Sequence, residues 1–128
     1  MPPTVDEFPG RSLAVAAETL YLANLLVAPG IAFLALIWMR RHFANAPKLA
    51  RCHMDQAFFA SLWSGILLLV ATGILLALGG VARQWTWVMA ILYFTCIHST
   101  LILLGILGLA RAQAGRPYAY PLIGPRGE

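Results

Sequence analysis

The sequence predicts an all-α integral membrane protein with three transmembrane helices, an N-terminus outside and a cytoplasmic C-terminus. Of its 128 residues, 60% are hydrophobic and only 11% are charged, too few to surround a water-soluble domain. The apolar residues form three runs, at 12–39, 57–78 and 86–110. Each run is long enough to cross a hydrocarbon layer of about 30 Å. Because only a helix satisfies its own backbone hydrogen bonds there as a single segment, each run is predicted to be helical.

The first two helices are predicted over about 12–41 and about 46–79. In the first, Pro29 lacks a backbone donor and is followed by Gly30, which predicts a kink near the middle of the membrane. The second is predicted to begin about ten residues before its apolar part, so that it protrudes into the cytoplasm, and to end at Gly79.

The third helix is predicted over about 85–111, with Trp85 and Trp87 at the outer membrane interface. The tail 112–128 contains many Pro, Gly and Tyr residues and is predicted to lie along the inner surface. Together these elements form a single transmembrane domain over 1–128. Four polar residues are predicted to lie on its cytoplasmic face: His53, Gln56, Tyr118 and Tyr120.

The nine cations predict the orientation. Seven of them lie between the first two helices or after the third: Arg40, Arg41, Lys48, Arg51, Arg111, Arg116 and Arg126. The other two are Arg11 and Arg83. Under the positive-inside rule this bias places the first connection and the tail in the cytoplasm of a multi-pass protein of the bacterial inner membrane. The net charge of +4 therefore reports orientation, and membrane lipid rather than nucleic acid is the expected partner.

Small and polar residues within the apolar runs predict helix packing or contact with a partner. In lipid, helices associate through close approach of small residues, because lipid offers no hydrophobic driving force. The residues assigned to this role are Asn24, Pro29, Gly30, Ser61, Gly65, Gly73, Ser99 and Gly105.

His98 lies close to the midpoint of the third helix, where an ionisable group suggests function. One interpretation is structural, with a hydrogen bond to Ser99, Thr95 or Asn24. The other gives His98 a partner-facing or cofactor-binding role. A haem held by two histidines of this chain is disfavoured because His42 and His53 lie at a different depth. A haem or quinone shared with a neighbouring subunit remains an alternative, and no cofactor is predicted for the chain itself.

Catalytic and metal-binding patterns do not emerge from the sequence. Cys52, His53 and Asp55 are close along the chain, but neighbouring helical residues point in different directions, so no metal site is predicted. Nucleophilic triads, phosphate-binding glycine loops and paired carboxylates are missing, which predicts a protein that is not an enzyme. Glu18 is predicted to lie at the outer boundary and to pair with Arg11 or Arg83; a proton-relay role is the alternative.

Several short segments carry a family resemblance. These are Leu25-Leu26-Val27-Ala28-Pro29-Gly30, Ile37-Trp38 followed by a basic pair, His53 with Ala57, Ala114-Gly115-Arg116, and Tyr118-Ala119-Tyr120-Pro121-Leu122. Over residues 20–122 the chain resembles the Tic-twenty-like small bacterial membrane proteins of unknown function. The resemblance implies a helical protein with several spans and no established reaction.

The sequence thus favours a non-enzymatic accessory or structural subunit that packs against other membrane protein subunits in a larger complex. A small carrier or translocation component, acting as an oligomer with Asn24, the Pro29-Gly30 kink and His98 along a polar path, is one alternative. A subunit of a redox complex that contributes to a shared haem or quinone site is the other.

Overall fold

A computed structural model describes residues 8–121, and in this range all regular elements are helices. The helices are α1 (Arg11–Leu26), α2 (Ile31–His42), α3 (Lys48–Gly79) and α4 (Gln84–Gln113). A short π-helical segment, Ile66–Val70, lies within α3. The predicted tail is described only to position 121.

Helices α3 and α4 are long and apolar enough to cross a membrane, with 32 and 30 residues. Their ranges lie close to those predicted for the second and third helices. A short turn joins them, where Gly80 adopts a positive φ of 86°. A Cβ at Gly79 would lie 2.6 Å from Oγ1 of Thr86, so only glycine allows α4 to begin so close to the end of α3.

The prediction of one kinked helix over 12–41 is wrong, because the chain breaks there into α1 and α2. Gly30 has a φ of 85°, and its N–H donates to Oδ1 of Asn24 at 2.9 Å rather than to a helical carbonyl. Pro29 has no N–H and therefore cannot continue the helical series of backbone hydrogen bonds. With 16 and 12 residues, α1 and α2 are only about 24 Å and 18 Å long, each shorter than a hydrocarbon layer. A third helix of spanning length is not found among the described residues.

Helices α1 and α2 form a hairpin that folds back on the first half of α3. A Cβ at Gly10, just before α1, would lie 3.0 Å from Ala50 and 3.1 Å from Pro47, so the start of α1 lies beside the start of α3. The buried apolar core joins both hairpin helices, the first half of α3 and the tail: Ala17, Tyr21, Leu36, Met39, Ala50, Met54, Ala57, Ala60 and Tyr120.

The start of the described chain also lies beside its end. A Cβ at Gly115 would come within 2.5 Å of the Phe8 ring. The sequence had predicted the two termini on opposite sides of the membrane, and this proximity does not fit that arrangement. The start of α1, the end of α2, the start of α3 and the end of α4 therefore share one end of the bundle, here called the basic end. The α3–α4 turn, with Arg83, forms the opposite loop end.

Large apolar side chains remain exposed along both long helices. Leu69 and Leu78 on α3 are 72% and 84% exposed, and Leu103 on α4 is 63% exposed. An exposed apolar surface of this extent is unfavourable in water and suits contact with lipid or with other membrane helices.

Candidate functional site

The basic end encloses a group of polar side chains, here called the buried cluster, formed by Glu18, His53, Gln56 and Tyr120. Glu18 comes from α1, His53 and Gln56 from the first turns of α3, and Tyr120 from the tail. None of the four is more than 2% exposed. Polar groups buried this completely need hydrogen-bond partners, and the cluster supplies them from three separate parts of the chain.

Glu18 occupies the centre of the cluster. Its Oε1 lies 2.7 Å from Nδ1 of His53, and its Oε2 accepts a hydrogen bond from the hydroxyl of Tyr120. On the far side of the imidazole, Nε2 of His53 lies 2.8 Å from the carbonyl oxygen of Arg116. The backbone N–H of Tyr120 donates to Oε1 of Gln56 at 3.0 Å. The carboxylate and the imidazole thus join α1, α3 and the tail.

The hydrogen-bond partners of His53 determine how many protons the His53–Glu18 pair carries. A carbonyl oxygen can only accept, so Nε2 of His53 must carry a hydrogen to bond Arg116. One more proton then lies between Nδ1 of His53 and Oε1 of Glu18. Either Glu18 is a neutral acid beside a neutral imidazole, or a carboxylate faces an imidazolium, and both arrangements have zero net charge. The pair can therefore be buried without an uncompensated charge.

The tail residues 115–121, here called the strap, are held by side chains and backbone together. Burial, followed by the neighbouring Glu18 carboxylate, raises the pKa of Tyr120 well above its ordinary value, which keeps the phenol protonated as a donor. Burial and Glu18 raise the pKa of Tyr118 in the same direction. The Tyr118 and Tyr120 rings meet edge to face with centroids 4.9 Å apart. Sγ of Cys52 lies 3.7 Å from the carbonyl oxygen of Tyr118.

Two glycines allow α4 to approach α1 and the cluster. A Cβ at Gly108 would lie 2.7 Å from Oε2 of Glu18 and 2.9 Å from the hydroxyl oxygen of Tyr120. A Cβ at Gly105 would lie 2.5 Å from Leu22 and 2.6 Å from the ring of Tyr21. Both positions are buried, and any side chain there would force the helices apart.

Tyr21 extends the contacts of the cluster towards the middle of the bundle. Its ring packs edge to face on Tyr120, with centroids 5.1 Å apart. Its hydroxyl donates to the carbonyl oxygen of Leu101 at 3.0 Å, which connects α1 to α4. The hairpin is therefore attached to both long helices by polar contacts as well as by apolar packing.

His98 bonds to the backbone of α1. Its Nε2 lies 3.0 Å from the carbonyl oxygen of Leu25, at the point where α1 ends and leaves carbonyls without helical partners. The sequence had suggested the side chains of Ser99, Thr95 or Asn24 as partners; Asn24 instead holds the N–H of Gly30. A cofactor-binding role for His98 stays a prediction.

The residues predicted for helix packing or partner contact occupy different surroundings. Gly105 contacts α1, and Ser61 is buried. Gly65 and Gly73 have open space where a Cβ would lie, and Ser99 is exposed. Pro29 and Gly30 are exposed at the turn of the hairpin. Contact of Gly73 or Ser99 with another protein stays a prediction.

Glu18 is the member of the cluster that the sequence interpretation misplaced. It was assigned to the outer boundary with Arg11 or Arg83 as partner, and the structure places it at the basic end bonded to His53. The sequence does contain a clue. A carboxyl group six residues after the start of an apolar run at position 12 needs a polar partner, and His53 lies in the predicted second helix, four residues before its apolar run.

The cluster is closed to solvent, and among residues 8–121 no group of three or more His, Cys, Asp or Glu side chains could hold a metal ion. The other acidic side chain in this range, Asp55, pairs with Arg40 through Oδ1 and Nε at 2.8 Å. The arrangement can share a proton internally and fasten the strap, and it leaves no space for a substrate beside the carboxylate.

Comparison with known families gives a match over most of the chain. The model of the MamF/MmsF family, the magnetosome magnetite crystal formation protein family, matches residues 10–126. This match overturns the resemblance to the Tic-twenty-like family, which rested on short segments that many small helical membrane proteins can share. No curated protein matches the chain, and no solved structure does.

Proposed function

The chain belongs to the magnetosome magnetite crystal formation protein family, and from this we propose that it is a membrane-embedded, non-enzymatic accessory protein of magnetite crystal formation. The observation that carries the proposal is the buried cluster, which fixes the hairpin and the strap as one rigid surface at the basic end. Such a surface is suited to binding other membrane proteins. Its role is to contact partners, and mineral chemistry takes place elsewhere.

The proposed arrangement in the membrane has two crossings, α3 and α4, and a re-entrant hairpin, α1–α2. Both ends of the described range, positions 8 and 121, then lie on the cytoplasmic side. The cations support this orientation, since seven described ones lie at the basic end and only Arg83 lies at the loop end. With Arg11 also on the cytoplasmic side, the excess of cations on that side is larger than in the arrangement with three spans. Irregular backbone at membrane depth needs partners for its polar groups, and the N–H of Gly30 at the exposed hairpin turn is bonded to Oδ1 of Asn24.

Charge distribution favours an accessory role over direct mineral binding. The two acidic side chains of residues 8–121 are both engaged, Glu18 with His53 and Asp55 with Arg40. Carboxylate oxygens are the protein ligands suited to hard cations, and neither carboxylate is free to act as one. The outward faces of α3 and α4 are apolar instead, which suits packing against helices of a larger assembly.

The test is gentle extraction of the tagged chain from the membranes of a magnetite-forming host in a mild detergent. We expect other membrane proteins to co-migrate with the full chain. Removal of residues 115–128, which deletes the strap but retains all four helices, should abolish this association while the shortened chain stays in the membrane fraction. A full chain that migrates as a monomer without partners, or an association that survives strap removal, would contradict the proposal.

A further inference from the structure

A groove opens between the hairpin turn, α3 and α4, separate from the buried cluster. Its volume is about 330 Å³, which lies at the small end of the usual range for small-molecule sites. Most of its lining is apolar, with Leu25, Phe33, Leu68 and Phe94 among the contributing residues. Four polar side chains interrupt this lining: Asn24, Ser61, Ser64 and His98. Of these, Ser64 already donates to the carbonyl oxygen of Ala60 at 2.6 Å.

In the two-crossing arrangement proposed above, on which this inference rests, the groove lies near the middle of the bilayer. Ser61 and Leu69, which border it, lie on either side of the midpoint of α3, and His98 is at the midpoint of α4. The π-helical segment of α3 begins at Ile66, directly beside the groove. There Tyr93 donates to the carbonyl oxygen of Leu67 at 2.8 Å. Single π-turns inside α-helices occur often at functional sites.

The hydroxyl of Ser61 has no hydrogen-bond partner, although the residue is only 3% exposed. Buried polar groups without partners are rare, and one that lines a groove points to a ligand with polar atoms. Asn24 and His98 each retain unused hydrogen-bonding capacity. Asn24 uses its Oδ1 for Gly30, which leaves its NH₂ group as a donor. His98 uses Nε2 as a donor to Leu25, which leaves Nδ1 as an acceptor.

We propose that this groove binds the ring of an isoprenoid quinone. The ligand must be apolar enough to reach the centre of a bilayer, and it must offer oxygen atoms there to Ser61 and Asn24. A phospholipid acyl chain has no such atoms, since its ester oxygens remain near the headgroups. A quinone ring carries two carbonyl oxygens on an apolar body, and its isoprenoid chain can leave between α3 and α4 into lipid. In the quinol form, a ring hydroxyl can donate to Nδ1 of His98.

The experiment uses the full chain in phosphatidylcholine nanodiscs with a photoreactive azidoquinone that carries a short isoprenoid chain. After illumination, mass mapping of peptides should place the label within 61–69 and 94–98. Decylubiquinone in excess should prevent labelling, and added phosphatidylcholine should not. Label spread evenly over lipid-facing residues, or displaced by phosphatidylcholine as readily as by decylubiquinone, would overturn the proposal in favour of a lipid-filled groove.

Two glycines of α3 provide a matched pair of variants. A Cβ at Gly65 or at Gly73 would meet no atom within 4 Å, so a side chain can begin at either position without a clash, but only Gly65 lines the groove. Gly65→Leu should fill the groove and reduce labelling by about tenfold or more, whereas Gly73→Leu should leave it within about twofold. The small substitution Ser61→Ala, which removes one hydrogen bond, should weaken labelling by up to about tenfold. Equal labelling of all three variants would refute quinone binding here.

Discussion

Replacing Glu18 with alanine should reduce the free energy of unfolding by about 3–5 kcal/mol and release the strap, because the change leaves the buried His53 and Tyr120 without their partner. Glu18 is fully buried and bonds to both residues. The loss can be measured by titration with a denaturing detergent, followed by helix content. Release of the strap can be measured by chymotrypsin cleavage after Tyr118, which is protected while the strap is docked.

Glutamine at position 18 is the informative control. Its NH₂ group can donate to Nδ1 of a neutral His53, and its carbonyl oxygen can accept from Tyr120, so it imitates a protonated Glu18. Because the pair shares one proton and has no net charge, Glu18→Gln should cost less than about 1 kcal/mol. Asp55→Ala, which removes a half-exposed ion pair, should also cost less than about 1 kcal/mol. If Glu18→Ala were no more destabilising than Asp55→Ala, the cluster would not hold the strap.

The second large effect is expected from Gly108→Ala. The new Cβ would lie 2.7 Å from Oε2 of Glu18, closer than van der Waals contact allows, so α4 must move away from the cluster. Overpacking of this kind costs about 1–3 kcal/mol. The same detergent titration measures it, and the distance between α1 and α4 can be followed with spin labels at exposed positions Thr19 and Leu107.

Gly73→Ala is the comparison for Gly108→Ala. It adds the same methyl group to a helix at a position with no neighbouring atom within 4 Å. Alanine favours helix by up to about 1 kcal/mol over glycine, so this variant should be as stable as the wild type or slightly more stable. Equal effects at the two positions would mean that helix propensity, and not close packing at the cluster, governs the response.

Long apolar runs allowed most of α3 and α4 to be predicted, because a bilayer imposes both the length and the helical form of a spanning segment. The first run met the same length criterion but did not form one helix. Composition alone does not reveal that Pro29-Gly30 ends a helix, since a kink and a break begin with the same missing hydrogen bond. The difference lies in Asn24, whose side chain satisfies the N–H of Gly30 and so stabilises the turn.

The candidate site was predicted only in part, because the sequence did not reveal that the chain turns back at Pro29-Gly30. His53, Gln56 and Tyr120 were assigned to one face, and the structure brings them together at the basic end. Glu18 was assigned to the opposite side because an uninterrupted first helix would carry it there. Once the hairpin turns back, the start of α1 lies beside the start of α3, and Glu18 meets His53. Because the turn was not predicted, Glu18, the central residue of the cluster, was assigned to the wrong end of the bundle.

The central claim is that α1 and α2 form a re-entrant hairpin, with both ends of the described range, positions 8 and 121, on one side of the membrane. It is tested most directly by cysteine labelling in intact cells, with Cys52 and Cys96 replaced by serine and single cysteines introduced at Ser12 or Ala82, both exposed. A membrane-impermeant maleimide should label position 82 from outside and position 12 only after permeabilisation. Labelling of both positions from outside, as three full crossings require, would contradict the account.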